Sequence, residues 1–452
     1  MKRLVPFAAT LAAGLLAAGC ASGPSAMSQH QLDAMIAQHR YADAEAYLGQ
    51  IKDSEYGQKN AVLYHLDRGA IELHGGQYEQ SEQDFSLAEH RMDELYTKSA
   101  TQAGGMLLLN DRTMDYAGEP FERTLMNVYR ALGYAFQGKP DDALVESRKI
   151  ERFLQELEDN LGGRKGVYSD DAFARYLDAM LYADEGKLDD ARISLAASRA
   201  AYRDYETNYG MNPPVFRFPK RRPKDDGELA FIHFNGLAPR KITETFQVAW
   251  NDATAVVRTS QAEDGSVAAK NALVAGLTGN AITVAYPGIV QDTYTIVGSE
   301  VFVDSRPEAA TQLMEDVTGI AKKTLAERQA LIKTRAVARA AIKYILAEAA
   351  YRVAAKACDQ EFGSTSWQGL LCKGAAKATM AAATAVTEVA DTREWSTLPA
   401  QIRMARVKLP AGTHDVVVQF KNAAGAVVEQ HEFKDVVIQA GKRTYLSYRT
   451  AL

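Results

Sequence analysis

The hydrophobic pattern of this chain changes period near Gly227, and this change is the strongest constraint on its fold. Before Gly227, apolar residues recur at helical spacing, whereas residues 242–250 (ITETFQVAW) have the two-residue period of a strand. A chain of 452 residues is also too long for one small domain. We therefore predict an α+β multidomain protein with a helical N-terminal half and a strand-rich C-terminal half.

The composition excludes several classes of protein. The chain is 47% hydrophobic and 24% charged, which is typical of domains with buried cores and excludes disordered, collagen-like and polytopic membrane proteins. The net charge is −5, and nucleic acid is not expected as a partner because phosphate binding needs a basic excess.

Helix pairs with tetratricopeptide-like spacing account for the N-terminal half. A glycine or histidine falls at each predicted turn, with small and aromatic residues at the offsets of this repeat. The turns at His39, Gly76, Gly138 and Gly186 are 37, 62 and 48 residues apart, whereas a regular array has about 34. We predict an irregular α-solenoid of tetratricopeptide-like helix pairs over residues 28–210.

An insertion between residues 91 and 121 interrupts these helix pairs. It contains an apolar run, residues 106–109, beside polar side chains. Because solenoids bind peptide or protein segments on their concave surfaces, a partner can occupy the groove of this one. The alternative is that the inserted segment itself fills the groove.

The C-terminal half is predicted as one β-sandwich interrupted by a helical hairpin, with two small β domains as the alternative. A proline-rich, basic linker separates it from the helical half, since proline cannot continue a helix. The predicted segments are the linker over 211–227, β-strands over 228–305 with separate strands at 293–297 and 300–304, the hairpin with its cysteine loop over 306–391, a second hairpin helix from residue 373, and strands completing the sandwich over 392–452.

The N-terminus has the pattern of an export signal. Lys2 and Arg3 precede an apolar run, residues 4–18, that is too short to span a bilayer. The run ends in Leu-Ala-Ala-Gly-Cys, which resembles the lipobox of bacterial lipoproteins. Residues 1–19 are therefore predicted as a signal peptide and Cys20 as the lipid attachment site. A secretory signal with an incidental cysteine is the alternative.

The residues that follow Cys20 bear on location. Residues 20–27 are predicted to be a short flexible tether. Ala21 stands where inner-membrane lipoproteins carry a retaining aspartate, so by analogy we expect the outer membrane. The chain would be held there through N-terminal acyl chains, with its body facing the periplasm.

The remaining cysteines, Cys358 and Cys372, are predicted to form a disulfide, because a pair of thiols in an oxidising compartment is normally oxidised. Buried free thiols are one alternative. A two-cysteine metal site is another, although no histidines lie nearby.

Three separated blocks, residues 94–150, 231–241 and 390–414, resemble an uncharacterised family of Gram-negative outer-membrane lipoproteins with tetratricopeptide-like repeats. The resemblance implies an outer-membrane location among other envelope proteins, including activators of cell-wall synthases, and no known enzyme activity. It also singles out candidate interaction residues, each of which could equally be architectural. The architectural role is favoured, with Asn235 in a turn, Trp395 in a core, and Asp391 and Arg393 as an ion pair at a helix end. They are Asn110, Asp111, Tyr116, Glu119, Phe121, Glu122, Asn235, Lys241, Asp391, Arg393 and Trp395.

The sequence contains no recognisable catalytic motif. It lacks G-x-S-x-G, P-loop, H-E-x-x-H and G-x-G-x-x-G patterns, and its eight histidines show no metal-ligand spacing. No cofactor and no metal are predicted. The leading hypothesis is a non-enzymatic envelope scaffold or adaptor that binds another protein through its helical repeats. The alternatives are a regulatory or assembly factor for a cell-wall or surface-polymer machine, and an unrecognised periplasmic hydrolase.

Overall fold

The structure is a computed structural model that describes residues 23–101, 114–160, 166–215, 225–249, 281–386 and 390–451. These ranges contain ten α-helices and ten β-strands, so the predicted α+β class is confirmed. The helices are α1 Ala26–Ala37, α2 Tyr41–Ile51, α3 Ala61–His74, α4 Tyr78–Thr101, α5 Pro120–Phe136, α6 Pro140–Asn160, α7 Ala172–Asp184, α8 Leu188–Tyr209, α9 Val317–Phe362 and α10 Trp367–Val386. The strands are β1 Asp226–Asn235, β2 Arg240–Ala249, β3 Ala281–Val290, β4 Ile296–Val303, β5 Arg306–Ala310, β6 Gln312–Asp316, β7 Gln401–Pro410, β8 Gly412–Asn422, β9 Val427–Ile438 and β10 Arg443–Thr450.

Consecutive helices of the N-terminal half pack in pairs: α3 with α4, α5 with α6, and α7 with α8. The four predicted turn residues all have positive φ, between 56° and 79°, which is the left-handed conformation that ends a helix. Gly69 allows α3 and α4 to approach closely, because an added Cβ would lie 2.9 Å from the Phe85 ring. The predicted turn positions therefore share one backbone conformation.

The strands form three sheets within the described residues. The first sheet has the order β10-β1-β7-β6, the second has the order β5-β4-β8-β9, and β2 pairs with β3 alone. In the first sheet, β1 runs parallel to β10 and antiparallel to β7. The C-terminal strand thus returns to lie beside the first strand of the β region.

Strand β1 is buried on both faces because it lies between two layers. Ala230, Ile232 and Phe234 share a core with the helices, whereas Leu229 and Phe231 share a core with the second sheet. Side chains alternate between the faces of a strand, so each face contributes to a different core. The helices, the first sheet and the second sheet therefore form three layers.

The hairpin does not begin at Arg306, where the Ala-rich pattern placed it. Residues 306–316 form β5 and β6 instead, and α9 begins at Val317, after its N-cap Asp316. Asp304 and Ser305 have φ values of 49° and 67°, and this turn folds β5 back against β4. Pairing with strands already in place outweighs the helical propensity of the segment.

Two predicted strand boundaries also differ from the structure. The strands predicted at residues 293–297 and 300–304 are one strand, β4, with an irregular register between Ile296 and Gly298. Strands β2 and β3 belong to neither four-stranded sheet, so residues 228–305 do not form one continuous β unit. Their sheet packs against the middle of α9, where Val284 contacts a stretch that includes Ala341 and Ile345.

The loop of the helical hairpin is shorter than predicted. Helix α9 has 46 residues and is therefore about 69 Å long. Helix α10 begins at Trp367 rather than near residue 373, which leaves only residues 363–366 between the two helices. Cys358 and Cys372 join them through a disulfide, with Cα atoms 5.8 Å apart.

Candidate functional site

Seven of the predicted motif residues, which come from all three sequence blocks, meet between the helical half and the base of the hairpin. Three of them lie before α5 or in its first turn, one lies at the start of β2, and three lie between the hairpin and β7. We call this group the junction cluster. Its members are Tyr116, Glu119, Glu122, Lys241, Asp391, Arg393 and Trp395.

The start of α5 fixes the two glutamates of the cluster. Glu119 is the N-cap residue and forms a capping box with Glu122, while Pro120 occupies the first helical turn. Glu119 Oε1 accepts a hydrogen bond from Lys241 Nζ at 2.9 Å, and its Oε2 accepts one from Arg328 at 2.6 Å. Burial opposes ionisation of Glu119, but these two cations overcome it and lower its pKa to about 2.

Glu122 is buried, and its carboxylate is fully engaged in hydrogen bonds. Its Oε2 accepts from the Tyr116 hydroxyl at 2.6 Å and from the Glu119 backbone N–H at 2.8 Å. Its Oε1 accepts from the Trp395 backbone N–H at 2.8 Å. Burial raises the pKa of Glu122. The carboxylate joins the start of α5 to the segment after the hairpin and leaves no oxygen without a partner.

Lys241 contributes the positive charge at the centre of the cluster. Its Nζ also donates to the Arg393 carbonyl at 3.0 Å, and its backbone N–H donates to the Glu394 carboxylate at 2.8 Å. Burial disfavours the ammonium, but Glu119, Glu122 and Glu394 together raise the pKa of Lys241. Burial raises the pKa of Glu394 to about 8.

Arg393 ties the segment after the hairpin to the helical half. Its guanidinium donates two hydrogen bonds to Asp391, at 2.8 and 2.7 Å, and one to the Met114 carbonyl at 2.7 Å. Its guanidinium lies over the Tyr116 ring, 5.2 Å from the centroid. Burial opposes ionisation of Asp391, but Arg393 overcomes this and holds its pKa below the usual value. The predicted Asp391–Arg393 ion pair is present.

Trp395 is a core residue that covers the inner face of the helices. Its ring lies 5.8 Å from Phe85 and 5.4 Å from Tyr129, centroid to centroid. Phe234 of β1 packs against the same tyrosine at 5.2 Å. The following segment is fixed by Asp67, which accepts hydrogen bonds from Ser396 and Thr397.

These contacts bear on the predicted groove of the helical half. At Phe85 and Tyr129, the helices are covered by Trp395, from the segment after the hairpin, and by Phe234 of β1. Tyr116, near the end of the insertion, donates its backbone N–H to the Lys59 carbonyl at 2.8 Å. Residues 102–113 of the insertion lie outside the described residues.

A cleft of about 880 Å³ opens beside the junction cluster, and we call it the junction cleft. Helix α9 forms one wall, where Arg328 binds Glu119 and Glu327 accepts the Val167 backbone N–H at 3.0 Å. The surface of the cleft combines apolar, aromatic and charged side chains. Its lining residues are Met114, Asp115, Tyr116, Ala117, Gly118, Glu119, Pro120, Leu157, Gly166, Tyr168, Thr324, Glu327, Arg328, Leu331, Asp391 and Arg393.

The remaining predicted residues are not members of the junction cluster. Phe121 is buried, with its ring 6.4 Å from that of Tyr168. Asn235 is buried within the β region, where it donates to the Ile296 carbonyl at 2.8 Å and accepts from Thr450. Its contacts are architectural. Asn110, Asp111 and Cys20 lie outside the described residues.

Four residues of the site were not predicted: Asp67, Arg328, Glu394, and Asn60, whose side-chain oxygen accepts a hydrogen bond from Arg393 at 3.2 Å. Glu394 lies inside the third sequence block, so its position beside Arg393 and Trp395 was an available signal. Arg328 is one of 11 Lys and Arg in residues 317–386. No local pattern distinguishes it, because its partner Glu119 is 209 residues away in sequence.

Every carboxylate oxygen of Glu119 and Glu122 accepts a hydrogen bond from a protein donor. A general acid or base must present a free oxygen to a substrate, whereas both oxygens of Glu119 and Glu122 are held by protein donors. Among the described residues, no group of three or more histidine, cysteine, aspartate or glutamate side chains is arranged to hold a metal ion.

No protein-family model, curated protein or solved structure matches this chain. The resemblance to envelope lipoproteins therefore stays a prediction. Over the described ranges, no helix combines the length and apolar character needed to cross a bilayer.

Proposed function

We propose that this protein is a non-enzymatic scaffold or adaptor of the Gram-negative cell envelope that binds another envelope protein at the junction cleft. In this proposal, acyl chains on Cys20 anchor it to the outer membrane and its body faces the periplasm. The junction cleft is the observation that supports the binding role, because elements from the helical half, the hairpin and the segment after the hairpin meet around it.

The finer architecture belongs to the same proposal. We infer a tetratricopeptide-like solenoid for the helical half, supported by helix pairs whose turns share positive φ. We infer one β-sandwich for the two four-stranded sheets, supported by the core that Phe231 of β1 shares with Val418 and Phe420 of β8. The helical hairpin is then an insertion between β6 and β7.

The cleft is a better candidate than the inner groove of the helices. Trp395 and Phe234 already occupy part of that groove, and displacing them would expose a buried core. The cleft volume of about 880 Å³ lies within the range of ligand-binding clefts. Leu157 and Leu331 offer apolar contact area, and Arg328 and Glu327 offer charged groups at the same surface, a mixture suited to a protein segment.

A matched pair of variants tests the cleft. Leu331 lines the cleft and Leu87 lies on α4, and both side chains are 53% exposed. Full-length wild type, Leu331→Asp and Leu87→Asp would be used as baits in detergent-solubilised envelopes, and retained proteins quantified by mass spectrometry. We expect a stoichiometric partner whose recovery falls about tenfold with Leu331→Asp and is unchanged with Leu87→Asp, because a buried charge in an interface is costly.

Other outcomes would contradict the proposal in distinct ways. A partner that tolerates Leu331→Asp but is lost with Leu87→Asp binds the helical surface and excludes the cleft. A partner that tolerates both changes points to the β region, as expected for a regulatory or assembly factor. If no bait retains a partner, the adaptor role fails and hydrolase assays on envelope polymers become the appropriate test.

A further inference from the structure

The outer end of the α9–α10 hairpin exposes a group of large apolar side chains. Phe362, Trp367, Leu370 and Leu371 are 44%, 69%, 60% and 62% exposed, and all lie within ten residues of one another. We call these four residues the hairpin tip. Exposed apolar groups of this kind are unusual on a protein surface and mark contacts with a partner or a membrane.

The hairpin that carries this tip is basic, although the whole chain is acidic. Residues 317–386 contain 11 Lys and Arg against 4 Asp and Glu, a net charge of +7, whereas the whole chain has −5. The rest of the chain therefore carries −12. Close to the tip, Lys373 binds Asp359 at 2.8 Å, so one of the two acidic residues there is already paired.

We propose that the hairpin tip inserts its apolar side chains into the headgroup region of an anionic phospholipid bilayer. Tryptophan and leucine favour this interface. Residues 352–377 around the tip contain four Lys and Arg against two Asp and Glu, and this net charge of +2 complements the lipid phosphates. The insertion is interfacial, because neither described hairpin helix is long and apolar enough to cross a bilayer. A second copy would bring a like charge of +2 from its own residues 352–377 against the tip, which disfavours self-association there.

The construction of the tip fits this role. The Cys358–Cys372 disulfide and the hydrogen bond from Lys373 to the Ser364 carbonyl hold the two helices together beside the apolar residues. Arg328 at the cleft and Phe362 at the tip are separated by 34 helical residues, or about 51 Å. The tip and the junction cleft are therefore independent surfaces, and the lipid contact does not depend on the proposed adaptor role.

Vesicle co-sedimentation of the full chain tests the proposal. The chain would carry Cys20→Ser, so that acyl chains cannot contribute, and vesicles would contain phosphatidylcholine alone or with phosphatidylglycerol. We expect binding to the anionic vesicles, weaker binding to the neutral ones, and a loss of about tenfold or more with Leu370→Ser/Leu371→Ser. The matched control is Ile193→Ser/Val215→Ser, which removes two side chains that are 69% and 74% exposed elsewhere.

Three results would overturn the proposal. The first is no binding of the Cys20→Ser chain to anionic vesicles. The second is an equal loss with the tip variant and the control variant. The third is a sedimentation-equilibrium dimer that Leu370→Ser/Leu371→Ser converts to a monomer without any vesicle binding, which would make the tip a self-association surface. Thermal unfolding of both variants establishes that any loss does not come from misfolding.

Discussion

At the scale of single residues, the buried ammonium of Lys241 determines which groups surround it. A buried positive charge is costly unless negative groups and hydrogen-bond acceptors lie close to it. Glu119 provides the direct ion pair, and the Arg393 carbonyl accepts a further hydrogen bond. Glu119 in turn also binds Arg328, so a single carboxylate is shared by the β region and the hairpin. Removing it should affect stability in a way that depends on pH.

We predict that Glu119→Gln destabilises the protein most near neutral pH. The pKa of Glu119 is lowered from 4.5 to about 2, so its charged form is favoured in the folded state. That contribution is present above pH 4.5 and is lost as the pH falls toward 2. Urea unfolding should show wild type more stable than Glu119→Gln by about 2–4 kcal/mol at neutral pH, with a smaller difference in acid.

The control for this experiment is Glu308→Gln, which changes an exposed glutamate on β5. Its difference from wild type should be small and should not vary with pH in the same way. A Glu119→Gln difference that stays constant as the pH is lowered would show that the ion pairs with Lys241 and Arg328 do not stabilise the fold.

The sequence predicted several of these residues but not the way in which they interact. Asp391 and Arg393 were recognisable as an ion pair because they are close in sequence, and Trp395 as a core residue because of its type. The Glu119–Lys241 pair joins residues 122 positions apart, and no local pattern encodes it. The resemblance to envelope lipoproteins identified the three sequence blocks, but only the tertiary structure shows that they contact one another.

At the scale of secondary-structure elements, the outer part of the hairpin is held mainly by its own two helices. Helix α10 packs mainly against α9, whereas α9 also contacts β3 at its middle, and contacts β7 and α8. A disulfide that closes a short loop contributes about 3 kcal/mol on the chain-entropy account. Because the outer hairpin is separate from the main core, this contribution should be local.

We predict that Cys358→Ser/Cys372→Ser loosens the hairpin tip without changing the main unfolding transition. Amide hydrogen exchange around residues 353–377 should become faster by about 100-fold, which corresponds to about 3 kcal/mol. The amides of β1 and α5 serve as the internal control and should keep their wild-type rates. A large fall in the main melting temperature would instead mean that the outer hairpin unfolds together with the core.

Element type was predictable where the periodicity was long, and less so where pairing with distant strands decided the outcome. The turns at Gly76, Gly138 and Gly186 could be placed from sequence because glycine there has a local backbone reason. The conformation of residues 306–316 could not be predicted from sequence, because their composition suits a helix. Their strand partners, β4 and β7, fix their conformation, and β7 lies about 90 residues further along the chain.

At the scale of the whole molecule, the helical half and the β region share one core. Tyr202 of α8 donates to the Met314 carbonyl at 2.8 Å, and Tyr205 donates to Glu315 at 3.0 Å. At the other end of the first sheet, Arg443 of β10 binds Asp184 at 2.8 Å. The sequence shows two regions of different hydrophobic period, but it does not predict that they share an interface. Aromatic residues that line an open groove and aromatic residues that fill a core have the same sequence pattern.

We predict, as a consequence, that residues 23–215 do not fold as an independent unit. Removing the β region would expose Phe85, Tyr129 and Tyr202, which are fully buried in the complete chain. A domain folds alone only when its core is its own, and here a substantial part of the core comes from β1, β6 and Trp395. Calorimetry should give a broad, weak transition and strong binding of a hydrophobic dye for the fragment, against a cooperative transition for the whole chain. A sharp transition in the fragment with no dye binding would mean that the helices form a self-sufficient solenoid, and that their inner face is available to a partner after all.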